Sequence, residues 1–345
     1  MADWSNLPTE LLGLIALHLL SVLDIIRFRA IFSRVTLSSS SSKGWLIKHD
    51  AELIDKTFRL LSPLSRFPFR LFRCRKINLL KFNVTEIHPT YIVQKQRKKQ
   101  ADKRFIRAVV EGRNDRLVVI CCDRKVRYWN GEMWTRFEDQ VGELCDLIVH
   151  QGMTYALDSR GIIWWISPAR GIFRYGPALN DDIAKSCSWR DRSLVGGSCG
   201  DLYIVDRIVE GNRREMNFAT FSFFSKVIRD DVGNTPLERE EGGFYPRTLG
   251  FKVYKIDDDS CQWEEVKSLG GNAFVMATDT RFSVVASEYY GCLENSIYFT
   301  DEHKRAKDYE IKVFKLDDGS ITTMSGYYQD CFQMFFPNRR WNVVV

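Results

Sequence analysis

The chain of 345 residues is long enough for one small and one large domain. Its 45% hydrophobic and 13% aromatic content describes an ordinary globular core and excludes a disordered or fibrous chain. The net charge of +6 is too small at this length to argue for nucleic-acid binding, and nine Cys without a Cys-x-x-Cys pair or Cys/His zinc spacing give no metal site.

The first element is a helix opening near Pro8, where a missing N–H costs nothing in the first turn. Leu11, Leu12, Ile15 and Leu19 recur at helical spacing and make one apolar stripe. A second start follows at Ser21-Val22-Leu23-Asp24, which has the form of a capping box and leads into Ile25, Ile26 and Phe28. A helix pair this short cannot bury its apolar surface alone and requires a partner. The apolar run Leu11 to Leu23, broken by Gly13, His18 and Ser21, is too short to span a bilayer. Asp3 and the lack of a basic leader argue against a secretion signal, and the odd Cys count then fits a reducing compartment.

Residues Leu37 to Ile47, with the Ser run 38–42, read as a linker or a broken helix. Lys48 to Leu61 reads as helical, and Pro63, Pro68 and Pro89 punctuate a connecting stretch. The sharpest charge feature comes next: Lys95, Arg97, Lys98, Lys99, Lys103, Arg104 and Arg107. Such a run serves as a nuclear import signal, as an anion-binding patch or simply as a solvated loop.

From about Phe105 the pattern changes to short β-type runs between turn signals. Adjacent Cys121 and Cys122 end one such run, so strand geometry sends them to opposite faces. Val126 to Trp129 and Glu132 to Phe137 flank Asn130-Gly131, the signal for a two-residue hairpin turn. Further hairpins are expected around Asp158 to Gly161 and Ser198 to Gly200. Phe251-Lys-Val-Tyr-Lys-Ile256 and Ile311-Lys-Val-Phe-Lys-Leu316 each run into an Asp-rich turn and are near copies 60 positions apart. Closely matched hairpins fit the blades of a β-propeller better than a two-sheet sandwich. Irregular spacing places an insertion within Arg207 to Arg247.

Catalytic patterns are weak. There is no Walker-type loop, no Rossmann-type Gly cluster and no His-Glu-x-x-His, and His18, His49, His88, His150 and His303 form no motif. Acidic clusters at Asp181-Asp182, Asp230-Asp231 and Asp257 to Asp259 admit a glycosidase pair only if through-space geometry allows it. Turn chemistry already accounts for Asp257 to Asp259 and Asp317-Asp318. Trp164-Trp165 offers an aromatic face to a ligand, but packing is the commoner use.

The opening stretch Trp4-Ser5-Asn6-Leu7-Pro8, continuing through Leu11, Leu12, Ile15 and Leu19 to Asp24-Ile25-Ile26-Arg27-Phe28-Arg29, resembles the F-box of plant F-box proteins. Where that family continues into a Val-Cys-x-x-Trp-Arg helix, this chain reads Ile31-Phe32-Ser33-Arg34-Val35-Thr36 and reaches Trp45 late. Leu194 to Arg207, Phe251 to Tyr254 with Trp263 to Gly270, Phe282 to Val284 and the ending Phe336-Pro337 with Trp341 are similar to the KIB-type propeller of the same proteins.

The resemblance implies a multidomain chain: small all-α F-box helices over residues 1–50, a partly helical connection over 51–104 and an all-β propeller over 105–345. It implies a non-catalytic, substrate-recognition subunit of a Skp–cullin–F-box ubiquitin ligase, in the nucleus, the cytoplasm or both. Leu7, Pro8, Leu11, Leu12, Ile15, Leu19, Ile25 and Phe28 would then bind the Skp-type adaptor, and the propeller an unknown protein substrate. No cofactor, metal or membrane is implied. The alternative is a non-ligase scaffold or inhibitor that binds a partner through the propeller, and a propeller enzyme acting on carbohydrate is a third reading.

Overall fold

The computed structural model describes residues 44–52, 57–61, 64 and 83–86 and, with short interruptions, residues 105–210, 247–301, 311–324 and 334–335. They divide into two compact units, one drawn from 1–90, 285–294 and 325–345, the other from 91–284 and 295–324.

In the first unit β1 (Gly44–Glu52) lies between β2 (Thr57–Leu61) and β3 (Asn83–Glu86). It pairs antiparallel with β2, from Lys48↔Leu61 to Glu52↔Thr57, and parallel with β3. Leu46 is buried, and its N–H donates to the Met334 carbonyl at 2.8 Å. The helix expected over Lys48 to Leu61 is therefore a β-hairpin, and Gly44 to Ile47, assigned to the linker, is strand. Hydrogen-bonded neighbours on both sides of β1 override the modest local propensity of its Lys, Ala, Glu and Leu. The N-terminal helix pair lies outside the described residues, whose single helical element is a 3-10 turn at Ala286–Glu288.

Among the described residues the second unit holds four sheets. The first runs β4 (Phe105–Glu111), β5 (Arg116–Cys121), β6 (Val126–Trp129), β7 (Trp134–Arg136). The second runs β8 (Leu144–His150), β9 (Met153–Asp158), β10 (Ile163–Ile166), β11 (Ile172–Arg174). The third runs β12 (Trp189–Gly196), β13 (Leu202–Val209), β14 (Thr248–Ile256), β15 (Trp263–Val266). All three are antiparallel meanders, as a propeller blade requires. The fourth has five strands: β16 (Asn272–Met276) and β17 (Arg281–Val285), then β18 (Ser296–Thr300), β19 (Ile311–Lys315) and β20 (Ile321–Met324). Its order is β17-β16-β18-β19-β20, with β16 parallel to β18.

Cores lie between consecutive sheets, and the period-two geometry of a strand explains why the apolar runs are nearly continuous. On β10, Trp164 and Ile166 pack toward the first sheet while Ile163 and Trp165 pack toward the third. Leu194 and Ile204 face the second sheet, whereas their neighbours Val195 and Val205 face the fourth. Each fully buried side chain of this kind contributes about 1.5–3 kcal/mol.

In the second unit the first described strand begins at Phe105, where the sequence pattern changes. The matched hairpins at Asp257 and Asp317 are the last two strands of the third and fourth sheets, so they occupy equivalent places. The stretch expected to carry an insertion connects β13 to β14 and lies mostly outside the described residues; at its two ends the Glu210 N–H donates to the Arg247 carbonyl. At the tip of β9–β10, Gly161 has φ +78°, and an added Cβ would sit 2.7 Å from the Leu179 Cβ.

One turn differs. The β6–β7 pairing is Trp129↔Trp134 and Tyr128↔Thr135, so the connection spans 130–133 instead of Asn130-Gly131 alone. The two-residue slip keeps every side chain on its face. It also sets the Trp129 and Trp134 rings 5.4 Å apart, a cross-strand pair that the tighter turn would forgo.

Candidate functional site

The first strands of the sheets converge. β8 runs between β4 and β12, and β17 is the edge of the fourth sheet that joins them. An acidic residue in the middle of an apolar strand, Asp146 on β8, is the meeting point and is only 1% exposed. Arg107 Nε from β4 donates to its Oδ1 at 2.8 Å, and the Leu194 N–H from β12 donates to Oδ2 at 2.8 Å. Arg281 from β17 brings Nη1 to 2.8 and 2.9 Å of the two oxygens. One carboxylate thus receives donors from the other three sheets, which satisfies a buried charge that would otherwise be costly. The two guanidiniums respond in opposite senses. Burial would lower Arg107, but the charges of Asp146 and Asp191, the hydrogen bond to Asp146 and Cys145 together outweigh this and raise it. Burial and the adjacent Arg107 lower Arg281. The same burial, reinforced by Asp146, pushes the Cys145 thiol up to about 12 and leaves it a neutral packing group.

A second buried carboxylate ties the third sheet to the fourth. Asp301, just past β18, accepts from Arg207 Nη2 at 2.8 Å, Lys312 Nζ at 2.7 Å and the Thr248 N–H at 3.2 Å. Arg207 also lies over the Phe299 ring, 5.5 Å from its centroid. Burial alone would raise the Asp301 carboxyl, but Lys312, Thr248 and Arg207 together hold it below the usual carboxylate value.

Among the described residues the second sheet carries the most exposed aromatic surface. On its outermost strand and just beyond, Phe173 is 53% and Tyr175 52% exposed, and Met153 at the β8–β9 turn is 41% exposed. Trp165 sits beside Phe173 with ring centroids 5.4 Å apart, and Tyr155 meets Tyr175 edge-on at 5.0 Å. Tyr155 and Trp165 are cross-strand partners, and the Tyr155 hydroxyl points to the Met153 sulfur at 3.7 Å. Five side chains therefore form one continuous apolar strip, fixed at its inner end and open at its outer end.

The residues expected to bind an adaptor, Leu7, Pro8, Leu11, Leu12, Ile15, Leu19, Ile25 and Phe28, lie outside the described residues, as do Lys95, Arg97, Lys98, Lys99, Lys103 and Arg104 of the basic run. The acidic pairs Asp181-Asp182 and Asp230-Asp231 do so too. Trp164 and Trp165 split between two sheet interfaces, and Trp164 Nε1 donates to Asp158 at 3.2 Å. Turn chemistry holds for Asp318, which accepts the Ser320 N–H at 2.8 Å, whereas Asp317 accepts from the Asn295 side chain, 22 positions away. Among the described residues no group of three His, Cys, Asp or Glu is placed to hold a metal ion. Sequence reasoning missed Asp146, Arg107 as its partner, and Arg281. The available signal was a single Asp within Leu144-Cys-Asp-Leu-Ile-Val149.

The family model described as the KIB1-4 beta-propeller matches residues 20–315. An F-box protein of Arabidopsis thaliana is 39% identical over 98% of this chain and 100% of its own length. A probable F-box protein of the same plant is 37% identical over 98% and 100%, and a third, putative F-box protein is 39% identical over 98% and 99%. The Pan2 WD40 domain of Neurospora crassa overlays 65% of each chain at 10% identity with a TM-score of 0.25, too low to bear on the fold.

Proposed function

The chain belongs to the KIB1-4 β-propeller family, and on that premise we propose that it is the substrate-recognition subunit of a Skp–cullin–F-box ubiquitin ligase. One observation carries this reading. Relatives called F-box proteins align over 98% of the chain, which leaves about 7 of the 345 residues unmatched, so the N-terminal stretch takes part in the likeness.

The mechanism is positional. Leu7, Pro8, Leu11, Leu12, Ile15, Leu19, Ile25 and Phe28 supply the apolar stripe that docks on the Skp-type adaptor, with residues 1–50 as the F-box and 105–345 as the propeller. The sheets of the second unit hold the target protein. Holding it near the charged ubiquitin carrier raises the effective concentration of its lysines, and the chain performs no bond chemistry itself. The shared carboxylates Asp146 and Asp301 support this role by fixing the sheets against one another, so that a binding surface is presented rigidly. The basic run Lys95 to Arg104 directs part of the population to the nucleus.

Affinity purification of the tagged chain, with and without residues 1–50, tests the assignment. Cullin and Skp-type adaptor should accompany the whole chain and be absent from the truncated one. Their absence from both preparations would remove the ligase role and leave a free-standing scaffold.

A further inference from the structure

We propose that the C-terminal segment is a clasp on the unit that carries the N-terminal stretch, so that the chain captures an adaptor only when its last residues are present and seated. This rests on the reading of the chain as a substrate receptor.

The first unit is assembled from three separate stretches, 1–90, 285–294 and 325–345. Among its described residues the buried apolar side chains are Leu46, Leu64, Ala286, Met334 and Phe335, drawn from all three. Its central strand, β1, is covered only in part by its neighbours. β3 pairs with Gly44 to Ile47, and β2 pairs only from Lys48 to Glu52. Leu46 lies ahead of the β2 pairing and is 1% exposed, so its N–H is shielded from water. The Met334 carbonyl takes that N–H at 2.8 Å. Without Met334 a buried donor would be orphaned and the start of β1 would present an open strand edge. Chain ends are ordered only when burial and hydrogen bonding tie them down, and Met334 and Phe335 have both.

The tie joins the two ends of the sequence, with the whole second unit between them. The N-terminal residues leave the ribosome first and Met334 nearly last. The first unit is therefore complete only when the second has been made. Premature termination or C-terminal proteolysis opens the same tie. The stretch Leu7 to Phe28, expected to dock the adaptor, belongs to this unit. Its short helices require a partner to bury their apolar surface. Adaptor capture thus depends on an intact chain, and a clipped receptor is not joined to the ligase.

The test compares the full chain with a chain ending at Met324, the last residue of β20, and with the double variant Met334→Asp, Phe335→Asp. Hydrogen exchange followed by mass spectrometry reads β1 in the first unit and β13 in the second. In both altered chains β1 should lose protection while β13 keeps it, because separate units open separately. Adaptor capture should weaken about tenfold or more, following the fall in the competent fraction. A synthetic peptide of residues 325–345 should restore β1 protection to the shortened chain at about millimolar concentration, the range a tether supplies. Unchanged protection of β1, equal loss at β13, full adaptor capture by the shortened chain, or no restoration by the peptide would each overturn the proposal. If the whole chain captures no adaptor, the receptor reading fails by itself, and exchange at β1 still decides the clasp.

Discussion

Asp146 and Arg281 stand 135 positions apart in the chain, yet one guanidinium nitrogen of Arg281 lies within 2.9 Å of both Asp146 oxygens. The contact joins the first strand of the second sheet to the edge of the fourth, and Arg107 and the Leu194 N–H complete it from the remaining two. Removing the carboxylate leaves two buried cations and an orphaned N–H. We expect Asp146→Ala to cost about 3–5 kcal/mol, the usual consequence of breaking a buried ion pair from one side. Asp146→Asn, which keeps an acceptor for Leu194, should cost less. The midpoint of urea unfolding followed by Trp fluorescence gives both values.

Acid should weaken the tie between the third and fourth sheets. The Asp301 carboxyl is held below its unfolded value of about 3.9. A carboxylate depressed on folding contributes stability that is fully present above the unfolded value and is lost as pH falls through the folded one. Stability of the wild-type chain should therefore drop below about pH 4, and Asp301→Asn should be less stable at neutral pH with a shallower acid slope. Thermal unfolding from pH 7 down to pH 3 reads the difference. Identical slopes would mean that Asp301 is not charged in the folded state.

Thiol reactivity should divide by burial. With Cys145 pushed up to about 12, only about one molecule in ten thousand carries its thiolate at pH 8. Cys121 is buried, and Cys199 is exposed at the β12–β13 turn. Brief treatment of the native chain with iodoacetamide, followed by peptide mass mapping, should label Cys199 and spare Cys121 and Cys145. Labelling of Cys145 at a comparable rate would show that the β4–β8–β12 junction opens.

Much of the second unit was legible in the sequence because its signals are local. The strand onset at Phe105, the turn at Asp158 to Gly161 and the repeated Asp-rich hairpins each rest on a few adjacent residues. What was not legible depends on distant partners. Lys48 to Leu61 has helix-compatible residues, and the β1–β2 pairing that makes it a hairpin sits on a strand whose first half, Gly44 to Ile47, is held by β3 and the Met334 carbonyl, far along the chain. Asn130-Gly131 signals a tight turn, but the closure lies two residues further on, where Trp129 and Trp134 meet as a tilted cross-strand pair. The Asp146 junction has no sequence motif, since its three donors come from β4, β12 and β17 and become neighbours only when the sheets pack.

If the basic run drives import, replacing Lys95, Arg97, Lys98 and Lys99 together by neutral residues should move a fluorescent fusion toward the cytoplasm. Exposed surface changes of this kind usually alter stability by no more than about 0.5 kcal/mol each, so the protein should remain folded. An unchanged nuclear fraction would reduce the run to a solvated loop.

The receptor role stands or falls on adaptor docking. The measurement is direct binding of purified Skp-type adaptor to the purified full chain, by surface capture over a concentration series. We expect saturable binding to the wild-type chain and loss of about thirtyfold or more for Ile15→Asp or for Leu7 and Pro8 replaced together by Ala, with the sheets of the second unit intact by circular dichroism. A folded wild-type chain that retains no adaptor, or variants that bind as tightly as wild type, would contradict the assignment.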